Sequence, residues 1–171
     1  MTERNNLVEK LSLQAESFQE GFEILTKGSS IKELTSNFAH LLKGNFIIKD
    51  LCIFHRTSKN SEWKNAGLNN NFNTSDLSFL MNSNNLTITY YEKEKFTVSI
   101  VLPLSDSSFL GILLGQKLDG TEFNDFDKIT LQILLQVFNS AHKSFLNQKK
   151  EKGKRINFRL KRKDFSAESP Y

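Results

Sequence analysis

Cysteine and long apolar runs are scarce in this sequence of 171 residues, and each scarcity excludes a class of protein. The single cysteine, Cys52, rules out an internal disulfide, and no Cys/His cluster has the spacing of a zinc site. No apolar run approaches the length of a membrane span, and the first residues lack the hydrophobic region of a signal peptide. We therefore expect a soluble, cytoplasmic protein without a bound structural metal.

Recognisable catalytic motifs are also missing. The histidines, His40, His55 and His142, are scattered over two predicted helices and a strand, and no Ser or Cys nucleophile motif accompanies them. There is no glycine-rich phosphate loop, because Gly111 and Gly115 fall inside a predicted strand, where glycine permits close packing. We expect that the chain is not an enzyme by itself.

The composition favours one folded domain and a separate charged segment. Hydrophobic residues make up 38% of the chain and include 15 phenylalanines, which is enough for one core. Residues 149–163, here called the basic segment, hold nine basic side chains and one acid, whereas the rest of the chain has a net charge of −4. The sequence pI of about 9.1 therefore belongs to the basic segment rather than to the fold.

Three helices are predicted from apolar residues that recur at spacings of three and four. The first covers residues 5–27 and ends at Gly28, which readily adopts a left-handed C-cap conformation. The second follows a capping box at Ser30 and Glu33 and ends at Gly44. The third covers residues 124–150. Its stripe has the spacing of a coiled-coil seam and consists of Leu131, Leu134, Phe138, Ala141 and Phe145.

Strand-like segments alternate with short links that suit antiparallel pairing. They are residues 46–56, 86–92, 96–104 and 109–117. Residues 57–85 contain nine asparagines and predict connecting segments around a short strand near Trp63 and a short helix at residues 76–81. The order of the elements predicts an α+β domain with one antiparallel sheet and helices on one face.

Two segments resemble the paired central strands of GAF domains, and a third resembles the closing motif of that family. The strands are residues 99–104 (Ser-Ile-Val-Leu-Pro-Leu) and 110–117 (Leu-Gly-Ile-Leu-Leu-Gly-Gln-Lys). In cyclic-nucleotide-responsive members the motif is an Asn-Lys pair, then Phe, then Asp-Glu. It reads here Gln116, Lys117, Phe123, Asp127 and Lys128, with Gln in place of Asn and Lys in place of Glu. The resemblance covers about residues 25–146.

This resemblance implies a GAF/PAS-like central antiparallel sheet of five to six strands, with helices on one face and long N- and C-terminal helices. The residues of the motif also have a purely physical role. Asn124 is placed to cap the last helix, and Asp127 lies where a carboxylate meets the free N–H groups of the first turn. We expect Lys117 to pair with Asp127 and Phe123 to fix the turn to the core.

The resemblance implies a small-molecule pocket between the sheet and residues 57–85. Its walls would be Trp63, Phe72, Phe79 and Tyr90, with Asn and Ser side chains as polar contacts. In the alternative interpretation, these aromatic side chains fill the core beneath the connecting segments, and this is slightly favoured. No cofactor is assigned, and the identity of any ligand is left open.

Two further residues have a functional and a structural interpretation. Cys52 is a candidate redox sensor or chromophore attachment point, but its place within an apolar strand favours a small buried hydrophobe. The GAF-related free methionine sulfoxide reductases rely on several cysteines for thiol–disulfide chemistry, so one cysteine cannot carry out that reaction. His142 resembles a phosphoacceptor histidine only distantly, because Lys-Ser-Phe follows it, and a histidine at a helix interface is favoured.

The predicted organisation has three parts: a signalling or dimerisation helix at residues 1–28, a GAF-like domain at 29–148 and a basic C-terminal tail or linker at 149–171. The resemblance implies a non-catalytic sensory, regulatory and dimerisation module of a bacterial-type signal-transduction protein. It implies a homodimer formed through the terminal helices and regulation of a linked kinase, phosphatase or cyclase. Charged substitutions at Phe138 and Phe145 are expected to weaken the dimer.

The basic segment has three interpretations: a solvated linker, a nucleic-acid arm or a patch for a membrane surface. Gly153 is expected to interrupt the helix, and Phe158 is one of only two aromatic residues that accompany the cations. A linker is favoured. The alternative function is a nucleic-acid-binding accessory protein that uses residues 149–163.

Overall fold

The computed structural model describes residues 2–67, 72–80 and 82–167. Five strands form one antiparallel sheet, with the order β2-β1-β5-β4-β3. The strands are β1 (Leu51–Arg56), β2 (Lys64–Asn65), β3 (Thr87–Tyr90), β4 (Phe96–Pro103) and β5 (Phe109–Gly115). The α-helices are α1 (Thr2–Thr26), α2 (Ile31–Phe46) and α3 (Asp125–Ala167), and a 3₁₀ helix covers Thr74–Phe79. None of the helices in the described ranges is long and apolar enough to cross a membrane.

The two faces of the sheet have different covers, as the alternation of β1 predicts. Leu51 and Ile53 belong to the large core between the sheet and the three helices. Cys52 and Phe54 belong to a second buried cluster on the opposite face, against which side chains of residues 57–85 pack. The α+β architecture and the single helical face are therefore confirmed.

The start of α2 agrees with the predicted capping box, but its end does not agree with the prediction. The Glu33 N–H donates to Ser30 Oγ over 3.1 Å, and the Glu33 carboxylate accepts the N–H of Ser29 over 2.9 Å. The helix continues past Gly44 to Phe46, whose side chain is buried in the core, and Ile47 ends it in the left-handed conformation with φ 49°. Core packing of Phe46 outweighs the helix-ending tendency of Gly44.

The apolar stripe of α3 packs inside the domain rather than forming a coiled-coil seam. Phe138 is fully buried, and its ring centroid lies 4.6 Å from that of Phe38 in α2. Leu131 and Leu134 belong to the same core. The interpretation of this stripe as a coiled-coil seam was wrong, because a helix that packs on a sheet shows the same spacing of three and four.

The prediction that Gly153 interrupts the last helix was also wrong, since α3 continues without a break to Ala167. An interior glycine costs a helix only about 1 kcal/mol relative to alanine, and the neighbouring Lys, Glu and Arg residues favour helix. The side chains of residues 147–163 are exposed. The predicted tail also includes residues 168–171, and the short helix predicted at 76–81 includes Met81; these positions lie outside the described residues.

Helices α1 and α3 run parallel to each other. Near the start of the contact, Gln14 Nε2 donates to Thr130 Oγ1 over 2.9 Å. Farther along, Gly28 and Phe145 line the same cavity. Because sequence position increases in the same direction along both helices, the N-terminal end of α1 and the C-terminal end of α3 point to opposite ends of the domain.

Candidate functional site

The GAF-like closing motif forms a network of polar contacts at the start of α3. Lys117 Nζ lies 2.6 Å from Asp127 Oδ2, and both side chains are largely buried. The same oxygen accepts the N–H of Asn124 over 2.9 Å, and Asn124 Oδ1 accepts the N–H of Asp127 over 2.9 Å. The predicted ion pair and the predicted helix cap are both confirmed.

Two further residues of the motif, Phe123 and Gln116, connect the same turn to its surroundings. The Phe123 ring lies 5.3 Å from the ring of Phe46, so it fixes the turn to the core. Gln116 Nε2 donates to the carbonyl oxygen of Glu94 over 3.3 Å, which links the end of β5 to the β3–β4 hairpin.

Three of the four predicted pocket aromatics lie together on the face of the sheet opposite α1, α2 and α3. Trp63, Phe72 and Phe79 all pack against the second buried cluster. The Phe72 ring lies 4.8 Å from Phe54, and the Phe79 ring lies 5.8 Å from Phe96. These contacts place the three rings over the sheet, as expected for residues 57–85.

Tyr90 does not join this group. Its neighbour in alternation, Ile88, packs on the helix-side core, so Tyr90 faces the same side. The Lys128 ammonium of α3 lies 4.8 Å from the centroid of the Tyr90 ring. The prediction that Tyr90 lines one pocket with the other three aromatics was wrong, because the strand's alternation places its side chain on the opposite face.

Arg56 is a buried residue of this face for which no role was predicted from the sequence. Its guanidinium lies between two aromatic rings, 4.4 Å from Trp63 and 4.5 Å from Phe109. It donates to the carbonyl oxygen of Lys59 over 3.2 Å and to that of Ser83 over 3.4 Å. Burial lowers the pKa of Arg56. The side chain therefore connects the beginning of the segment 57–85 to its end.

A second polar contact holds the 3₁₀ helix against the sheet. Asp76 is buried, and its Oδ2 lies 2.7 Å from Lys95 Nζ and accepts the N–H of Asn73 over 2.9 Å.

Cys52 is fully buried in the neighbouring cluster. Burial, with a smaller contribution from the charge of Asp76, raises the pKa of the Cys52 thiol to about 11. The thiol is therefore protonated and shielded from water, as expected of a core cysteine.

Comparison with known proteins finds similarity at the level of the fold. No protein-family model matches the sequence, and no curated protein matches it either. Among solved structures, the chain is similar to a GAF domain assigned to a sensor histidine kinase from Pseudomonas syringae pv. tomato. The TM-score is 0.59 at 10% identity, and the match covers 90% of this chain and 98% of that chain.

Two other solved structures are similar over most of their length. One is the GAF domain of an Acinetobacter phosphoenolpyruvate-protein phosphotransferase, with TM-score 0.53, 9% identity and coverage of 75% of this chain and 92% of that chain. The other is the free methionine-R-sulfoxide reductase of Neisseria meningitidis, with TM-score 0.57, 14% identity and coverage of 81% and 93%. At these identities the similarity shows the fold: this is the GAF fold predicted from the sequence.

Proposed function

We propose that this chain is a non-catalytic regulatory module that passes a signal between its two terminal helices. The observation that carries the proposal is the parallel packing of α1 and α3, which project from opposite ends of one domain. A change in the domain that shifts one helix is transmitted directly to the other through their contact. The GAF-fold relative assigned to a sensor histidine kinase supports a regulatory function of this kind.

The proposed working form is a homodimer that buries a row of exposed apolar side chains. Leu11 of α1 is 51% exposed and Ile129 of α3 is 58% exposed, although both are large and apolar. Val8, Phe126 and Ile133 are also exposed and continue the two rows at spacings of three and four. Two copies that bring these rows together would form a parallel four-helix bundle.

The test is the oligomeric state of a variant with Leu11→Glu and Ile129→Glu, measured by analytical ultracentrifugation. We expect the natural chain to be dimeric and the variant to be monomeric, because four charges would enter an apolar interface. Leu118→Glu is the control, since Leu118 is 66% exposed and lies outside the two rows. A dimeric double variant, or a monomeric natural chain, would contradict the bundle.

This dimer surface differs from the one that the sequence indicated. Phe138 is buried in the core of its own domain, so a charge at that position tests folding and not association. Phe145 is partly buried and faces the cavity beside Gly28. The exposed side of α3 carries the proposed interface instead.

The environment of the one cysteine argues against thiol catalysis. Cys52 is buried, and its raised pKa keeps the thiol protonated at neutral pH, whereas a nucleophilic or redox-active cysteine must be an accessible thiolate.

We also infer that Trp63, Phe72 and Phe79 fill the core beneath residues 57–85. The ring contacts of Phe72 with Phe54 and of Phe79 with Phe96, and the packing of Trp63 against the same cluster, support that role.

Nucleic-acid binding by the basic segment is the second candidate. In a helix of 3.6 residues per turn, its nine cations are distributed around the whole circumference. Such a distribution suits contact with phosphates without base recognition, and it equally suits a solvated linker. Binding of a duplex oligonucleotide that falls steeply with salt, and is lost when all nine cations become Gln, would support the nucleic-acid function. Salt-independent binding would contradict it.

A further inference from the structure

A cavity of about 440 Å³ lies on the helix side of the sheet, where α1 ends, α2 begins and α3 leaves the domain. It is on the opposite side of the sheet from Trp63, Phe72 and Phe79. Its walls come from the α1–α2 junction, from β1, from the β4–β5 turn and from one face of α3. Four separate parts of the domain therefore meet around this space, which has the size of a small-molecule site.

One end of the cavity holds a buried histidine beside an acid. His142 is 1% exposed, and its Nε2 lies 3.9 Å from Asp106 Oδ2. In the described part of the chain nothing forms a hydrogen bond with His142 Nδ1. The other carboxylate oxygen of Asp106 accepts the N–H of Ser108 over 3.1 Å and also its hydroxyl, so Asp106 is held by its own turn.

The histidines add no positive charge at neutral pH. Burial lowers the pKa of His142, and it also lowers that of His55, which lines the same cavity. Burial opposes the ionisation of Asp106, but the hydrogen bonds from Ser108 and the nearby His142 hold its pKa below the usual range. This end of the cavity therefore carries one negative charge and two neutral imidazoles.

The other end of the cavity is basic and has an apolar wall. Lys149 and Lys152 line it from α3. Residues 29–31 at the start of α2 also line it, and there the Glu33 carboxylate and Ser30 already accept the N–H groups of Ser29 and Glu33. Ile31, Phe145 and Leu146 supply apolar surface between the two ends. With two lysines against Asp106, the lining has a net charge of about +1 and a hydrophobic middle.

We propose that this cavity binds a small organic anion, namely a carboxylate with a short apolar chain. The carboxylate lies between Lys149 and Lys152, and the apolar chain lies on Phe145 and Leu146. The side chains present favour an anion over a metal, because the described residues contain no group of three His, Cys, Asp or Glu side chains placed to hold a cation. This inference goes beyond the proposed passage of a signal between α1 and α3, here called the relay. Binding of the anion in this cavity does not require a dimer.

The first experiment is calorimetric titration of the full chain with sodium hexanoate, with hexylamine hydrochloride and sodium sulfate as comparisons. We expect saturable binding of hexanoate and none of hexylamine or sulfate. Sodium butyrate is expected to bind more weakly, because each buried methylene contributes up to about a fourfold change in the dissociation constant. Equal binding of sulfate and hexanoate, or of hexylamine and hexanoate, would overturn the assignment of an organic anion.

The second experiment locates the site with matched variants. Lys149→Gln with Lys152→Gln is expected to weaken hexanoate at least fivefold. Lys161→Gln with Lys163→Gln removes the same charge from an exposed part of α3 outside the cavity and is expected to leave affinity unchanged. Equal weakening in both pairs would overturn the site, since it would reflect net charge alone.

Ultracentrifugation of the same samples separates this inference from the relay. A dimeric protein that binds no hexanoate would reject the site and leave the relay standing. A monomeric protein that binds hexanoate, with affinity lost only in the Lys149/Lys152 variant, would support the site and reject the dimer.

Discussion

Individual side chains in this domain are explained by neighbours that are distant in sequence. A Cβ atom at Gly111 would lie 2.8 Å from Leu80 Cδ1 and 3.0 Å from Trp63 Cζ3, so the absence of a side chain there allows residues 57–85 to pack on the sheet. Arg56 likewise acquires its environment from Trp63 and Phe109. The Lys117–Asp127 pair was predictable because a short turn joins the two residues. The stacking of Arg56 was not, because it depends on the path of the intervening chain.

The buried histidines make the stability of the domain depend on pH. The pKa values of His55 and His142 are lowered by burial, so the unfolded chain binds more protons than the folded chain as the pH falls below about 6.5. The free energy of unfolding therefore decreases from pH 7.5 to 5.5. We expect His142→Gln to reduce that decrease by up to about 1.4 kcal/mol, the limit for one fully excluded proton at pH 5.5.

Urea unfolding at the two pH values measures the effect. His40→Gln is the control, because His40 is an exposed histidine of α2, and this variant should keep the full dependence on pH. An unchanged dependence in His142→Gln would contradict the role of the buried imidazole.

At the scale of elements, the sequence predicted the type of each helix and strand better than its partner. The stripe that contains Leu134 and Phe138 correctly predicted a helix, but its spacing is the same for a coiled coil and for packing on a sheet. The partner is decided by the sheet, which brings β1, β4 and β5 beneath this stripe. For the same reason, Gly44 and Gly153 were poor guides to the ends of helices, since packing and neighbouring residues outweigh one glycine.

The start of α3 depends on the polar contacts of Asp127. We expect Asp127→Ala to reduce the free energy of unfolding by about 1–2 kcal/mol, because it removes a helix cap contact and leaves the largely buried Lys117 without its partner. Asp125→Ala, at a fully exposed position of the same turn, should change it by at most a few tenths of a kcal/mol. Urea unfolding measures both changes. If Asp127→Ala and Asp125→Ala reduced the free energy of unfolding equally, the contacts of Asp127 would contribute no specific stability.

At the scale of the whole molecule, α3 has two halves with different surroundings. Residues 131–141 include the side chains that pack into the core, whereas the side chains of residues 147–163 are exposed. Because the second half has the helical hydrogen bonds without the packing, we expect its amides to exchange with solvent deuterium much faster than those of the first half. Mass spectrometry of peptides from both halves measures this difference, and uniform protection along α3 would contradict it.

The link that Arg56 makes between Lys59 and Ser83 affects how well the domain tolerates insertions and deletions. One side chain links residues near the two ends of the segment between β1 and β3, so the segment, which includes β2 and the 3₁₀ helix, is closed at its base. The entropy cost of a closed loop grows only with the logarithm of its length, by about 0.6 kcal/mol for each doubling. Insertions beyond this closure that leave β2, the 3₁₀ helix and the packed aromatic side chains in place are therefore cheap for the fold, and related sequences can be expected to vary in length between these two residues.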